Sequence, residues 1–200
     1  LLWIMESFGG TACKLTGGVD AMPNLCRFAE DGIVFNRFYA NSFRTDRGLA
    51  CILASYPGMP TTSLMKVTNK SQNVKKLPNA LKEAGYKNSF YYGGDINFTN
   101  TNGYLLSTGY RRTYSEKDFP SEQRNDSKWG VHDEFAFAKT LEHIAAKDSV
   151  NPWMVTLLTL SSHEPWEVPY TRILDNPVTN AFAYLDHCIG DFITKFKQTE

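Results

Sequence analysis

Thr45 lies between two arginines, Arg44 and Arg47, where the character of the sequence changes. The β-branched and aromatic residues of 33–39 predict a strand, and apolar residues at helical spacing over 46–55 predict a helix. Thr45 is therefore expected at a helix N-terminus, where unpaired N–H groups and neighbouring guanidiniums favour a phosphate or sulfate group. This arrangement suits a nucleophile that faces an anionic ester. A threonine hydroxyl attacks poorly unless a base or a metal ion activates it.

The first acidic residue suited to that activation is Glu6. It directly follows the apolar run 1–5, which predicts a buried strand, and a glycine-rich stretch comes after it. Open α/β sheets bind ligands at the carboxyl ends of their strands, so Glu6 is a candidate ligand for a hard metal ion. The alternative is a carboxylate that caps a helix or ends a strand without a chemical role.

His163 occupies a similar position after the apolar run 153–160. An imidazole titrates near neutral pH, so it suits an acid or base that exchanges protons with a substrate. We therefore take His163 as a catalytic candidate together with Thr45, Arg44 and Arg47. The alternative is a turn histidine that caps the strand.

A predicted strand over 88–92 leads into a loop rich in glycine and asparagine, and such loops commonly shape specificity. Candidate substrate contacts in this loop are Asp95, Asn97, Phe98 and Asn100. Turn formation by aspartate and asparagine is the alternative for this loop. Trp129 and His132, which precede another predicted helix, are candidates for an aromatic wall and an imidazole at the same edge, with a plain helix start as the alternative.

Three segments in this order, Met5–Gly10, Met22–Leu25 and Asn41–Leu49, resemble the sulfatase-like branch of the alkaline phosphatase superfamily. The resemblance is to membrane phosphoglycerol transferases and lipoteichoic acid synthases in particular. It implies that Glu6 and Thr45 bind a divalent metal and that Thr45 carries the transferred phosphoryl group. We expect manganese, with zinc and magnesium as alternatives. The other two ligands of the family, an Asp-His pair, are expected beyond this chain.

Departures from the family patterns indicate which type of reaction to expect. Sulfatases of this fold carry Cys or Ser followed by x-Pro-x-Arg, whereas Thr45-Asp46-Arg47 has neither the oxidisable residue nor the proline. The resemblance therefore implies phosphoryl transfer from an anionic phospholipid to a hydroxyl of a glycan or polymer, through a phosphothreonine and with His163 beside the metal. A sulfatase or phosphodiesterase that uses water is one alternative, and a non-catalytic binding domain is another. Lipoteichoic acid synthases hold glycerol phosphate with a tryptophan and an arginine where this chain has 98–101, so the head group stays open.

Apolar strands alternate with helical patterns along the chain. The predicted strands are 1–5, 33–39, 88–92 and 153–160, and the predicted helices are 23–31, 46–55, 77–85, 133–147 and 178–197. This alternation predicts an α/β fold, a three-layer α/β/α sandwich with a mainly parallel sheet. The resemblance implies that it is alkaline-phosphatase-like and that residues 1–200 form the N-terminal part of the catalytic domain, so we expect the fold to be incomplete. The less regular segment 93–130 is expected to hold short helices and an edge strand.

The net charge and the hydropathy of the chain indicate which kinds of partner to expect. The chain has 21 basic and 21 acidic residues, which gives no reason to expect nucleic acid. No apolar stretch is long enough to cross a bilayer. The resemblance implies membrane attachment through segments outside this chain, and an active domain on the outer side of the cytoplasmic membrane, periplasmic or extracellular.

The cysteines lack the spacing of a metal site. Cys51 and Cys188 lie in apolar helical patterns and are expected to be buried thiols. Cys13 with Cys26 is the one disulfide pairing that we consider.

Other polar residues are expected to have no role in the chemistry of the site. The pair Asp186-His187 lies in an apolar helical stripe, and adjacent helix residues point about 100° apart, so we interpret both as helix surface residues rather than as the missing metal ligands. His143 is likewise expected to face solvent. Lys76 belongs to a basic cluster in a loop and is expected to be solvated.

Overall fold

Four parallel strands form the central sheet of the computed structural model, which describes residues 1–124, 127–147, 150–173 and 175–199. The strands are β1 (Leu2–Ile4), β2 (Lys87–Tyr92), β3 (Arg112–Tyr114) and β4 (Trp153–Leu158). Their order is β1-β4-β2-β3, and each neighbouring pair is parallel. All four carboxyl ends therefore lie along one edge of the sheet.

Helices connect the strands in the described chain. The α-helices are α1 (Pro23–Glu30), α2 (Thr45–Ala54), α3 (Thr68–Ser71), α4 (Leu77–Glu83), α5 (Thr101–Leu106), α6 (Ser121–Arg124), α7 (Asp133–Ala145) and α8 (Pro177–Phe196). Short 3-10 helices occupy Gly10–Ala12, Lys14–Thr16, Leu64–Lys66, Phe98–Asn100 and Glu116–Asp118. The five predicted helices are confirmed to within two residues at each end.

The helices cover both faces of the sheet, because successive strand side chains point to opposite faces. Tyr91, Val155 and Leu157 enter one core, which they share with α1, α7 and α8. Phe90 and Leu158 enter the other core, with α2 and α5. Both faces are therefore buried, and the predicted three-layer α/β/α fold is confirmed.

The prediction of a strand over 33–39 is wrong. This segment forms no strand, and its large side chains are exposed, Ile33 to 86% and Phe38 to 84%. β-branched and aromatic residues favour a strand because their side chains pack well in a sheet. The N–H and C=O groups of a strand must also form hydrogen bonds with a neighbouring strand. No described residue provides that neighbour. In contrast, the segment 93–130 does contain a helix, α5, and an edge strand, β3; its residues 125 and 126 lie outside the described chain.

Two residues expected in solvent are partly or fully buried. His143 lies on the inner side of α7, where its Nδ1 is 2.9 Å from the hydroxyl oxygen of Tyr91. Lys76 is only 2% exposed, and its ammonium donates hydrogen bonds to the carbonyl oxygens of Ser71 (2.6 Å) and Val74 (3.1 Å). Burial lowers the pKa of both groups. Both predictions fail because long polar side chains can be buried when a partner lies within reach.

Asp186 is also buried, at 1% exposure, rather than on a helix surface. Its carboxylate accepts the N–H groups of Asn24 (2.9 Å) and Leu25 (2.8 Å), so it satisfies the N-terminus of α1 and links α1 to α8. Cys188 is a buried thiol as expected, whereas Cys51 is half-buried and that prediction is wrong. In the described chain, Asp186 therefore holds α1 against α8.

Candidate active site

A cavity of about 300 Å³ opens at the carboxyl edge of the sheet, beside the start of α2. The ends of β1, β2 and β4 contribute to its wall. Seven of the residues proposed from the sequence line it: Glu6, Arg44, Thr45, Asp95, Phe98, Trp129 and His163. The topology explains this convergence, because parallel strands bring the residues that follow them to one edge.

The Thr45 hydroxyl donates a hydrogen bond of 2.8 Å to Oε2 of Glu6. Thr45 is the first residue of α2, and Arg44 precedes it in extended conformation. The first-turn N–H groups of α2 have no acceptor within the helix, so they give the site a positive potential. A hydroxyl, a carboxylate and a helix N-terminus therefore converge at one point.

The loop after β4 fixes Glu6 through its backbone. The Glu6 N–H donates to Oγ1 of Thr159 at 2.9 Å, and the Ser162 hydroxyl donates to the Glu6 carbonyl at 2.6 Å. Asp133, which is 1% exposed, anchors the same loop because its carboxylate accepts the N–H groups of Leu160 and Ser161. Burial raises the pKa of Asp133 to about 6, against the lowering effect of these hydrogen bonds.

His163 also lines the cavity. Its Nδ1 lies 2.8 Å from the carbonyl oxygen of Glu164, and since a carbonyl only accepts, Nδ1 is the protonated nitrogen. Nε2 is then the nitrogen that can exchange a proton. The Trp129 ring lies 4.5 Å from the imidazole, centroid to centroid, and Phe98 packs against Trp129 at 5.8 Å.

The two arginines have different surroundings. Arg44 lines the cavity with its side chain 53% exposed, and its Nε is 3.8 Å from the buried carboxylate of Asp46. That carboxylate also lies 3.3 Å from the ammonium of Lys66. Arg47 is not among the cavity-lining residues of the described chain; its Nη1 donates to the carbonyl of Pro60 at 2.8 Å. Of these two arginines, Arg44 is therefore the one placed to meet an anion in the cavity.

The loop residues also separate into two groups. Asp95 lines the cavity, but its Oδ1 accepts both the backbone N–H (2.9 Å) and the side-chain amide (3.1 Å) of Asn97, which forms a turn. The Asn100 amide donates to the carbonyl of Met65 at 2.5 Å. His132 is 3% exposed and packs edge-to-face on Tyr184 at 6.0 Å. In the described part of the chain, the cavity wall therefore does not include Asn97, Asn100 or His132.

Tyr92 is a cavity residue that the sequence argument missed. It ends β2, and burial raises the pKa of its hydroxyl, with the carboxylates of Glu6, Asp133 and Asp95 adding to the effect. Its position at a strand end was a usable signal, since the same argument selected Glu6 and His163. The other missed lining residues include Phe43, Thr99 and Thr101.

Glu6 and Thr45 fit a hard divalent cation. Their oxygens are 2.8 Å apart, close to the separation of about 2.9 Å between neighbouring ligands in an octahedral site with bonds of 2.0–2.1 Å. Carboxylate and hydroxyl oxygens suit manganese and magnesium. No group of three or more His, Cys, Asp or Glu side chains converges on a point within the described residues.

The model of the Sulfatase family matches residues 1–200 of the chain. The chain belongs to the sulfatase family. This sulfatase-family chain is 25% identical over 201 residues to Phosphoglycerol transferase I of Xanthomonas campestris pv. campestris (strain B100), an alignment that covers 89% of the chain and 28% of that relative.

Solved structures show the same fold. A protein in the alkaline phosphatase superfamily from Vibrio parahaemolyticus matches 98% of this sulfatase-family chain with a TM-score of 0.90 and 28% identity, over 50% of its own length. The lipoteichoic acid synthase LtaP from Listeria monocytogenes matches 99% with a TM-score of 0.87 and 19% identity, over 52% of its length. The zinc complex of the C-terminal periplasmic domain of EptC from Escherichia coli matches 98% with a TM-score of 0.69 and 18% identity, over 58% of its length.

The sulfatase-family chain therefore spans about half of these solved structures and less than a third of its curated relative. Within the residues that the structure describes, no helix combines the length and the hydropathy needed to cross a membrane.

Proposed function

We propose that this chain is the N-terminal part of a catalytic domain that transfers a phosphoglycerol-type group from an anionic phospholipid to a hydroxyl of a glycan or polymer. The observation that carries the proposal is the 2.8 Å contact between the Thr45 hydroxyl and the Glu6 carboxylate in a cavity that also holds Arg44 and His163. The name of the Xanthomonas relative supports the same reaction class.

Glu6 and Thr45 would hold a divalent cation, with manganese as our first choice and zinc or magnesium as the alternatives. When bound, such a cation withdraws charge from the Thr45 oxygen and from the phosphate. Two ligands expected from the Asp-His pair of the remaining domain would complete its coordination.

Thr45 is the proposed nucleophile. Its Oγ1 bonds to phosphorus of the donor phosphodiester, and the bond from phosphorus to the diacylglycerol oxygen breaks. The proton of Oγ1 already points at Glu6 Oε2, so the hydroxyl is oriented for its loss. The product of this step is a phosphodiester on Thr45, and the acceptor hydroxyl then attacks the same phosphorus and releases Thr45.

His163 and Arg44 assist the two steps. Nε2 of His163 is placed to donate a proton to the leaving diacylglycerol oxygen and then to take one from the acceptor hydroxyl. Arg44, the cavity arginine, would offset the charge on the non-bridging oxygens together with the N-terminus of α2. The aromatic pair Trp129 and Phe98 would shield the head group from water.

The phospholipid donor also suggests a location. A domain that takes its substrate from a membrane must work at the membrane surface, and we propose the outer side of the cytoplasmic membrane with an anchor in segments outside this chain.

The test uses the complete protein with phosphatidylglycerol labelled in its head group, Mn²⁺, and a glucan acceptor. The proposal expects diacylglycerol release and labelled glucan, both lost in Thr45→Ala. Label in free glycerol phosphate with acceptor present would instead indicate a phosphodiesterase, and turnover of an aryl sulfate alone would indicate a sulfatase. Either of these results overturns the transfer proposal.

A further inference from the structure

Cys13 and Cys26 face each other between the loop that follows Glu6 and helix α1. Their sulfur atoms are 3.7 Å apart, and both are free thiols in this structure. A disulfide requires about 2.05 Å, so side-chain rotations that bring the sulfurs closer by roughly 1.7 Å would join them.

We propose that the mature protein carries a Cys13–Cys26 disulfide, formed on the outer side of the cytoplasmic membrane. This inference rests on the location given in the proposed function and is independent of the reaction. Disulfides persist in such oxidising compartments, whereas cytosolic thiols stay reduced.

The surroundings give the two thiols different roles in the oxidation. Cys26 is half-buried, while Cys13 is 3% exposed and burial raises the pKa of its thiol. Cys26 therefore attacks the oxidant first, a protein or small molecule that carries a reactive disulfide, and forms a mixed disulfide with it. This first attack frees one thiol of the oxidant; Cys13 then attacks the Cys26 sulfur, the Cys13–Cys26 bond forms, and the second sulfur of the oxidant is released as a thiol. The chain loses two electrons and two protons, and the oxidant gains both.

The other cysteines do not compete for this bond. Cys51 belongs to α2, which packs on the opposite face of the sheet from α1. Cys188 belongs to α8 and is 3% exposed in the core, and burial strongly raises the pKa of its thiol. Both serve as matched controls.

The bond would tie the Glu6 segment to the helical framework. Four glycines, Gly9, Gly10, Gly17 and Gly18, make the segment between Glu6 and α1 flexible in the unfolded chain. Gly17 adopts a φ of +82°, and a Cβ on Gly18 would lie 2.3 Å from the carbonyl oxygen of Thr11, so the folded loop needs these glycines. Since Asp186 fixes α1 to α8, a disulfide to α1 would hold this glycine-rich loop in place.

The test is disulfide mapping of the complete protein, purified from the outer compartment with its thiols blocked at lysis. The proposal expects a non-reduced peptide that links Cys13 to Cys26 in the wild type and in Cys51→Ser. It also expects the melting temperature to fall on reduction by about 5 °C or more, a shift that is absent in Cys13→Ser/Cys26→Ser.

Full alkylation of both thiols in the protein from the outer compartment overturns the inference, as does a linkage of either residue to Cys51, Cys188 or a second chain. In a second arm, purified reduced protein is treated with oxidised glutathione; failure to form the bond there overturns the geometric argument itself. Neither arm uses an activity assay, so failure of the transfer reaction leaves the result unaffected.

Discussion

Removal of the Thr45 hydroxyl tests the site most directly. In Thr45→Ala the proposed nucleophile is absent, and the other described groups of the cavity, Glu6 and His163 included, remain in place. We expect turnover of phosphatidylglycerol to fall by about 10⁴-fold or more, which corresponds to about 5.5 kcal/mol in the activation barrier. Thr45→Ser keeps a hydroxyl but loosens its rotamer, so a loss of about tenfold is expected.

The structural cost of the same change is much smaller. Thr45 is only half-buried, and it loses one hydrogen bond of 2.8 Å to a partly exposed carboxylate. A bond of this kind contributes about 1 kcal/mol, or a few degrees in melting temperature. The expected loss of activity is therefore several kcal/mol larger than the loss of stability, and the two are separable.

Initial rates of diacylglycerol release and thermal unfolding of the complete protein are measured for each variant. Thr194→Ala is the matched control, because Thr194 is exposed on α8 and its hydroxyl bonds only to the Gly190 carbonyl at 2.8 Å. Mass spectrometry of the wild type, quenched during turnover without acceptor, should find the phosphoglycerol group on Thr45. Retention of more than about one per cent of turnover in a folded Thr45→Ala protein would refute the reasoning.

Three further predictions follow from the surroundings of other residues. Arg44→Ala should lower kcat/KM by about 10- to 100-fold, because the proposed charged contact of Arg44 with the substrate would be lost. Arg47→Ala should change kcat/KM less than about threefold and instead lower stability by about 1 kcal/mol through loss of the Pro60 contact, and equal kinetic effects would contradict the assignment. His163→Gln should reduce kcat by about 10²- to 10⁴-fold, and an unchanged kcat would exclude His163 as the acid and base. Burial raises the pKa of Asp133 from 3.8 to about 6, so the folded state binds this proton more tightly than the unfolded state. The free energy of unfolding should therefore fall by about 2 kcal/mol as pH rises from 4 to 6, and urea unfolding of Asp133→Asn should show a flatter pH dependence over that window, whereas identical curves would disprove the assignment.

Much of the fold was predictable because the signals are local. Apolar runs followed by polar loops located β1, β2 and β4, and helical spacing located α1, α2, α4, α7 and α8. The same patterns placed Glu6 and His163 after strands and Thr45 at a helix start. Since parallel strands end at one edge, these positions already implied that the three residues lie close together.

Errors arose where a contact that forms only in the folded chain decides the outcome. The segment 33–39 has the composition of a strand but no described neighbour to pair with. Lys76 and His143 are buried because the carbonyls of 71 and 74 and the Tyr91 hydroxyl lie within reach. Composition contains no information on such partners.

The sequence by itself determined the order of the elements and the types of group at their ends, because hydrophobic periodicity and turn chemistry act over a few residues. The tertiary structure alone decided that Arg44 faces the cavity while Arg47 binds the Pro60 carbonyl. It also decided that Asp95 lines the cavity while Asn100 binds the Met65 carbonyl, and that the Cys13 and Cys26 thiols meet. The direction of a side chain depends on atoms that packing brings close from other parts of the chain, and no local pattern encodes them.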